Sequence, residues 1–505
     1  MKRCVLLLAF VLVACGAPAP EPVASADVVS LSDGRVRGSA GAGARLFEGI
    51  PYAAAPVGDL RWRPPQPVRA WSGVRDATAP GARCPQPGAK GSEDCLFLNV
   101  TTPAAAGGGR PVLVWLHGGA FLGGSGDEYD ARELATRGDL VVVTLNYRLG
   151  ALGWLAHPAL AHEGGAGNFG LLDQQAALQW VRDNIAAFGG DPARVTLAGE
   201  SAGAMSVCDH LVAPGSAGLF RAAIIQSGPC QAHASAGAAV AASTAYAANL
   251  GCGDPAAVAE CLRDLPFAAL LTAPRYYDLA GVPVAGPVTG GALLPANPLD
   301  AMETGAATRV PVLLGVTRDE FTLFLAQQYA ATGKTVTAAD YPSSLAEVFG
   351  ARAPEVSAEY PLAAHDDSAP RALAAALTDA FFACTARDMA DSLSRTGPVY
   401  AYEFDDPQAP VPDSLSSTPF PLGAAHSLEL SYLFGDGGSF DEGQRRLSAE
   451  MVADWTSFVR TGAPTAGWPR YDPVHEQVRA LLPGGAAMQE DFAAIHHCAF
   501  WAARQ

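Results

Sequence analysis

Ser201 lies in the pentapeptide Gly199-Glu200-Ser201-Ala202-Gly203, directly after the β-forming run Val195-Thr196-Leu197-Ala198 and before a small, helix-compatible stretch from Ala202 to Leu211. Strand, sharp turn, helix is the context in which Gly-x-Ser-x-Gly lifts a serine hydroxyl clear of a strand end, where it can attack a carbonyl. The flanking glycines are then required, because a Cβ on either side would collide with the neighbouring strand or helix. In a chain with 54 glycines the pentapeptide alone would carry little weight; its flanking elements supply it. Such a nucleophile needs a base, an acid that orients the base, and donors for an oxyanion. His426 sits in a loop after a late strand, where an imidazole can reach a serine held at the strand ends, whereas His117, His162 and His210 read as structural. Asp319 and Glu320, both just past a strand, are the candidate acids. His117-Gly118-Gly119-Ala120-Phe121 follows the apolar run Val112 to Leu116, and a glycine-rich loop there presents backbone N–H groups with no side chain in the way.

Positioning these groups falls to a set of nearly continuously apolar strands: Val112 to Leu116, Leu140 to Asn146, Val195 to Gly199, Ala222 to Gln226, Pro311 to Val316 and Pro398 to Phe404. They alternate with helical patterns such as Asp173 to Phe188, which indicates an α/β fold with a large, mainly parallel central sheet covered on both faces. Val28 to Gly38 alternates around Asp33-Gly34, a hairpin signal. The proline-rich segment Gly49 to Pro65 excludes helix and must wrap the body as irregular chain. Helical insertions are expected at about 231–295 and 321–397, the second as a cap beside the sheet. Gln444 to Val459 reads as a helix whose Leu447, Met451 and Trp455 form a core stripe.

The first residues are a targeting segment rather than structure. Met1-Lys2-Arg3 is a basic start, Val5 to Val13 an apolar run, and Leu12-Val13-Ala14-Cys15 has the form of a lipoprotein cleavage box. The expectation is a signal peptide over 1–14, lipidation of Cys15, a Pro/Ala-rich tether over 15–27, and a single domain from 28 to 505. Gly16 after the cysteine favours the outer membrane, with the domain periplasmic or at the cell surface, and membrane attachment only through Cys15. The formal charge of −17, or −19 once Lys2 and Arg3 leave with the leader, offers no basic face for nucleic acid or anionic lipid. Without Cys4 and Cys15, eight cysteines remain, an even number suited to disulfides in an oxidising compartment. Cys84 with Cys95 and Cys252 with Cys261 would close short loops, and Cys384 with Cys498 would staple the chain end to an earlier helix. Cys208 and Cys230 are left either paired or as buried thiols. No cysteine spacing suits zinc, and no Gly-x-Gly-x-x-Gly follows a strand, so neither metal nor cofactor is expected.

Taken in order, Glu93-Asp94-Cys95-Leu96-Phe97-Leu98-Asn99-Val100, His117 to Phe121, Asn146-Tyr147-Arg148 and Gly167-Asn168 through Gly203 resemble the type-B carboxylesterases and cholinesterases of the α/β-hydrolase fold. The similarity runs from about Gly34 to Trp501. It implies Ser201 as nucleophile, Glu320 rather than Asp319 as acid, and His426 as base, in the chain order Ser, acid, His. It further implies an oxyanion hole of Gly119, Ala120 and Ala202, a polarising network of Glu200, Ser227 and Glu429, and salt bridges Arg61 with Glu93 and Arg148 with Asp173. Three positions depart from the pattern: Ala120, Phe321 and Ser427 each stand where glycine is usual, and the latter two could shift the triad or crowd the pocket.

The function implied is a serine carboxylesterase that forms an acyl-enzyme on Ser201 and acts on a small-molecule ester. A cholinesterase-like esterase is the nearest alternative, although the Cys84 to Cys95 loop is short and has no aromatic residue for a quaternary ammonium. A non-catalytic surface adhesion or binding protein of the same fold is the other; an intact Ser201, Glu320 and His426 argue against it.

Overall fold

Eleven strands make one sheet in the computed structural model, which describes residues 28–165, 167–279, 282–435 and 437–502. The leader, Cys15 and the tether lie outside the described residues. In chain order the strands are β1 (Ser39–Gly41), β2 (Ala44–Pro51), β3 (Phe97–Pro103), β4 (Arg110–Leu116), β5 (Val141–Leu145), β6 (Gly190–Glu200), β7 (Ala222–Gln226), β8 (Val312–Thr317), β9 (Val399–Phe404), β10 (Val478–Leu481) and β11 (Ala487–Gln489). Their order across the sheet is β11-β10-β9-β8-β7-β6-β4-β5-β3-β2-β1. The stretch from β5 through β10 is parallel throughout, and antiparallel pairings occur only toward the two edges.

The continuous apolar character of the middle strands follows from burial on both faces. Along β4, Val112, Val114 and Leu116 enter one hydrophobic core while Leu113 and Trp115 enter the other, and β7 divides in the same way into Ala223 and Ile225 against Ala222 and Ile224. The helix Glu442–Thr461 buries Leu447, Met451 and Trp455 on the second face, as its stripe implies. Trp455 Nε1 also donates to Gln226 Oε1 at 2.8 Å, which ties this helix to the end of β7.

The N-terminal hairpin is present as Val28–Ser30 against Arg35–Arg37, joined by a third short strand, Val74–Asp76. Between residues 321 and 397 the expected cap consists of helices Glu320–Thr332, Tyr341–Phe349, Ala353–Glu359, Ala369–Thr378 and Cys384–Ser394, with a π-helical turn at Asp379–Ala383. The 231–295 region is less helical than expected. Beside Ala236–Asn249 and Val258–Asp264 it holds two small strand pairings, Tyr277–Leu279 with Val282–Val284 and Ala234–Ser235 with Val288–Thr289. Pairs this short leave no hydrophobic period long enough to read.

All eight described cysteines are paired: Cys84–Cys95, Cys208–Cys230, Cys252–Cys261 and Cys384–Cys498. Cys208 and Cys230 therefore form a disulfide rather than two buried thiols. It links the helix Ala202–Val212, which starts directly after Ser201, to the loop after β7.

Candidate active site

Ser201 is the hinge between β6 and the helix Ala202–Val212, with φ 56° and ψ −122°. A non-glycine residue reaches this region only when its surroundings over-determine it. Here the Ser201 N–H donates to Gln226 O on the neighbouring strand at 2.9 Å, and both flanking glycines are needed. A Cβ at Gly199 would lie 2.5 Å from the carbonyl carbon of Gly203, and one at Gly203 would lie 2.0 Å from Leu116 O. The hydroxyl is thereby presented at the carboxyl ends of the parallel strands, where ligands of open α/β sheets bind.

The loop after β4 comes alongside. Gly119 has φ 107°, and Ala120 and Phe121 follow at 53° and 60°. Successive left-handed residues turn neighbouring N–H groups toward one side. The loop is fastened from behind by Leu122 and Gly123, whose N–H groups donate to Gly119 O at 2.9 and 3.0 Å, and by Tyr147, whose hydroxyl donates to His117 O at 2.7 Å while its ring stacks on the His117 imidazole. Burial lowers His117 to about 4 and His210 to about 3, so both are neutral. His210 is occupied by Ser216 and Gln174. The side chain of His162 lies outside the described residues.

Glu320 begins the helix after β8. Its Oε1 accepts the Thr317 N–H at 2.9 Å, which leaves Oε2 free to meet His426 Nδ1. Asp319 goes elsewhere: its Oδ2 accepts the Ala424 N–H at 3.0 Å and its N–H donates to Ala424 O at 2.9 Å, so it clamps the loop that carries His426. His426 Nε2 lies 3.1 Å from Glu200 Oε1, and among the described residues no hydrogen bond joins it to Ser201. Catalytic hydrogen bonds are often long or poorly aligned without substrate and tighten in the complex. Burial would lower the imidazole, but Glu200 and Glu320 outweigh it and raise His426 to about 9. Burial pushes Glu429 up to about 8, helped by the same two carboxylates.

The network expected behind the triad is only partly joined. Glu429 Oε1 accepts from Gln226 Nε2 at 3.1 Å, whereas Ser227 Oγ and Glu429 Oε2 are buried with no hydrogen bond among the described residues. Besides His426, Glu200 is met by Ser427, whose Oγ donates to Glu200 Oε1 at 2.5 Å. Nothing in the sequence reading pointed there beyond the missing glycine, and the structure explains the usual glycine: residue 427 has φ 66°. Both implied salt bridges are present. Arg61 grips Glu93 at 2.6 and 2.7 Å, and Arg148 grips Asp173 twice at 2.7 Å.

Ser201, Gly119, Ala120 and His426 line one cavity of about 1030 Å³. The cap lines it with Phe324, Leu373, Leu377 and Phe381 and also with the polar Gln327, Gln328, Ser344 and Glu347, and Arg275 and Asp278 border it as well. Phe321 occupies its glycine-pattern position fully buried, within 5.0–6.0 Å of Phe324, Phe381 and Phe382. Phe324 and Phe382 in turn flank the His426 ring at 5.0 and 5.4 Å. These aromatic neighbours were not singled out from sequence, where they are ordinary apolar positions of helices. Among the described residues no group of acidic, histidine or cysteine side chains is arranged to hold a metal.

The sequence model of the carboxylesterase family matches residues 25–501. The chain belongs to the carboxylesterase family. As a carboxylesterase it is a hydrolase of ester bonds. It is 36% identical over 494 residues to the para-nitrobenzyl esterase of Bacillus subtilis (strain 168), covering 90% of this chain and 94% of that one. To the cocaine esterase of Homo sapiens it is 33% identical, covering 92% and 87%. A solved PNB esterase superposes with a TM-score of 0.79 at 34% identity, over 92% of this chain and 98% of that one, and a thermophilic PNB esterase with 0.80 at 33%, over the same shares. The carboxylesterase fold therefore extends over nearly all of the described chain.

Proposed function

We propose that this carboxylesterase works through Ser201, with His426 as base and Glu320 as the acid that orients it. The observation that carries the reading is Glu320 Oε2 on His426 Nδ1, which leaves Nε2, 3.1 Å from Glu200 Oε1, as the ring nitrogen to act on Ser201 in the cavity both line. In the first step His426 Nε2 takes the Ser201 proton as Oγ attacks the ester carbonyl, and the tetrahedral oxyanion settles on the N–H groups of Gly119, Ala120 and Ala202. Gly119 and Ala120 N–H donate to no protein acceptor among the described residues, and the Ala202 N–H heads a helix, where first-turn donors have no intrahelical partner. The leaving alcohol takes the proton from His426, and water then repeats the sequence on the acyl-enzyme. Glu320 holds the tautomer and stabilises the imidazolium without taking its proton.

The aromatic and leucine side chains that the cap brings to the cavity, Phe324, Leu373, Leu377 and Phe381, suit an ester with an apolar arm. Hydrolysis of p-nitrophenyl esters from acetate to decanoate, by residues 16 to 505 and by the Ser201→Ala variant, tests the reading. Turnover by the parent alone supports it; equal rates from both would remove Ser201 from the chemistry.

We propose further that the chain is exported and anchored through lipidated Cys15. Pairing of all eight described cysteines suits an oxidising compartment, and among the described residues no helix is long and apolar enough to cross a membrane. A Cys15→Ser variant should leave the membrane fraction of the cells that make it; retention there would remove the anchor.

A further inference from the structure

Glu200 occupies a position between the two loops that carry the proposed chemistry. Its Oε2 lies against the oxyanion loop, where a Cβ at Gly118 would come within 2.5 Å of it. Its Oε1 is shared between His426 Nε2 at 3.1 Å and the hydroxyl of Ser427 at 2.5 Å. Ser427 makes this contact from φ 66°, a conformation glycine adopts freely and serine only at a cost, and it borders the cavity that holds Ser201. The hydroxyl contact is the visible compensation for that strain. We propose that Ser427 is a positioning residue for the base: its hydroxyl holds the Glu200 carboxylate ionised and aimed at His426 Nε2, so that the imidazolium is met by a fixed negative charge on the edge facing the substrate.

This inference rests on the serine-esterase reading. When Ser201 Oγ–H gives its proton to Nε2, the new N–H lies between the reacting oxygen and Glu200 Oε1, and no further group need change its charge. The other ionisable groups facing Glu200 are Glu320, Glu429 and the phenols of Tyr129, Tyr147 and Tyr402, and burial raises all three phenols so that they are neutral. Glu200 itself is raised by burial and drawn back down by His426 and by the Ser427 hydrogen bond. Without the hydroxyl, Glu200 binds a proton more readily and wanders from its aim, so its pull on His426 weakens.

The test uses the full mature chain as Ser427→Ala and Ser427→Gly. Glycine relieves the backbone and removes the hydroxyl, so it separates the two roles and folds even if alanine does not. Both variants should show a pH-independent kcat about tenfold lower, the worth of one hydrogen bond to a charged group, with KM for p-nitrophenyl acetate nearly unchanged. In both, the acid limb of kcat/KM should move to lower pH by about half a unit or more, the size of a weakened charge contact. Histidine-selective ¹⁵N NMR titration of His426, which needs no turnover, should show the same downward shift, so the inference stands or falls separately from the esterase reading. An unmoved or raised His426 titration in both variants, or a defect in Ser427→Ala fully relieved by Ser427→Gly, would overturn it.

Discussion

Glu320 and His426, 106 residues apart in the chain, meet through Oε2 and Nδ1, while Asp319 beside Glu320 binds the backbone of Ala424 instead. One carboxylate orients the imidazole and its neighbour holds the loop that carries it, so the two should fail differently. Glu320→Gln should lower kcat by about 10³–10⁴ with little effect on KM, because the amide can fix the wrong tautomer. Asp319→Asn should cost about tenfold or less, since it loosens the loop without removing the charge. Steady-state kinetics of the two variants on one ester, with circular dichroism to confirm folding, decides between them.

The same geometry sets a pH dependence. His426 must be neutral to accept the Ser201 proton, and its raised value of about 9 means that the imidazolium predominates below that pH. The kcat/KM profile should therefore climb with pH along a limb well above the ordinary histidine value of about 6.5. Glu200 is the largest upward influence, so Glu200→Gln should bring the limb down. A limb at the ordinary value in the parent, or one unmoved in the variant, would contradict the charge arrangement.

Arg148 and Asp173 form a fully buried bidentate pair, and Asp173 also accepts the Arg148 N–H at 3.1 Å. This pair anchors the chain next to Tyr147, which holds the loop proposed to carry the oxyanion hole through His117 O. Removing one partner leaves the other charge uncompensated in the core, at a cost of about 3–5 kcal/mol. Asp173→Asn should lower the urea midpoint accordingly, and a midpoint within error of the parent would show that the pair is not stabilising.

At the C-terminus His496 is buried between Asp379 and Glu403, with 2.6 Å to each. Burial alone would lower it, but the hydrogen bonds and charges of the two carboxylates outweigh burial and raise it to about 10. A raised histidine contributes stability that is fully present below its unfolded value of about 6.5 and is lost as pH climbs through its folded value. Thermal denaturation should thus show Tm falling between about pH 6.5 and 10. His496→Gln should start from a lower Tm and fall less steeply, and a parallel slope would exclude His496 as the source.

What the sequence made legible follows the range of the interactions involved. The Ser201 turn, the 117–121 loop and the strands around them are local patterns, and each stands where its residues imply. Choosing Glu320 over Asp319 needed the family pattern as well, since both are acids at a strand end; their opposite roles depend on one residue's rotation about a helix start. The Ser427 contact joins residues 227 apart and His496 gathers partners 93 and 117 residues away, which no periodicity reports. The strand Ala44–Pro51 went unread because its arginine, glutamate, glycine and proline interrupt any alternation, and β10 and β11 because they are three or four residues long.

The central claim is that Ser201 is the nucleophile, and covalent trapping reads it most directly. The parent protein treated with a p-nitrophenyl phosphonate ester should release one equivalent of p-nitrophenol, lose esterase activity in step, and carry the phosphonyl group on the peptide containing Ser201 by tandem mass spectrometry. Ser201→Ala should carry none. Stoichiometric labelling at another residue, or full activity after Ser201 is labelled, would contradict the account.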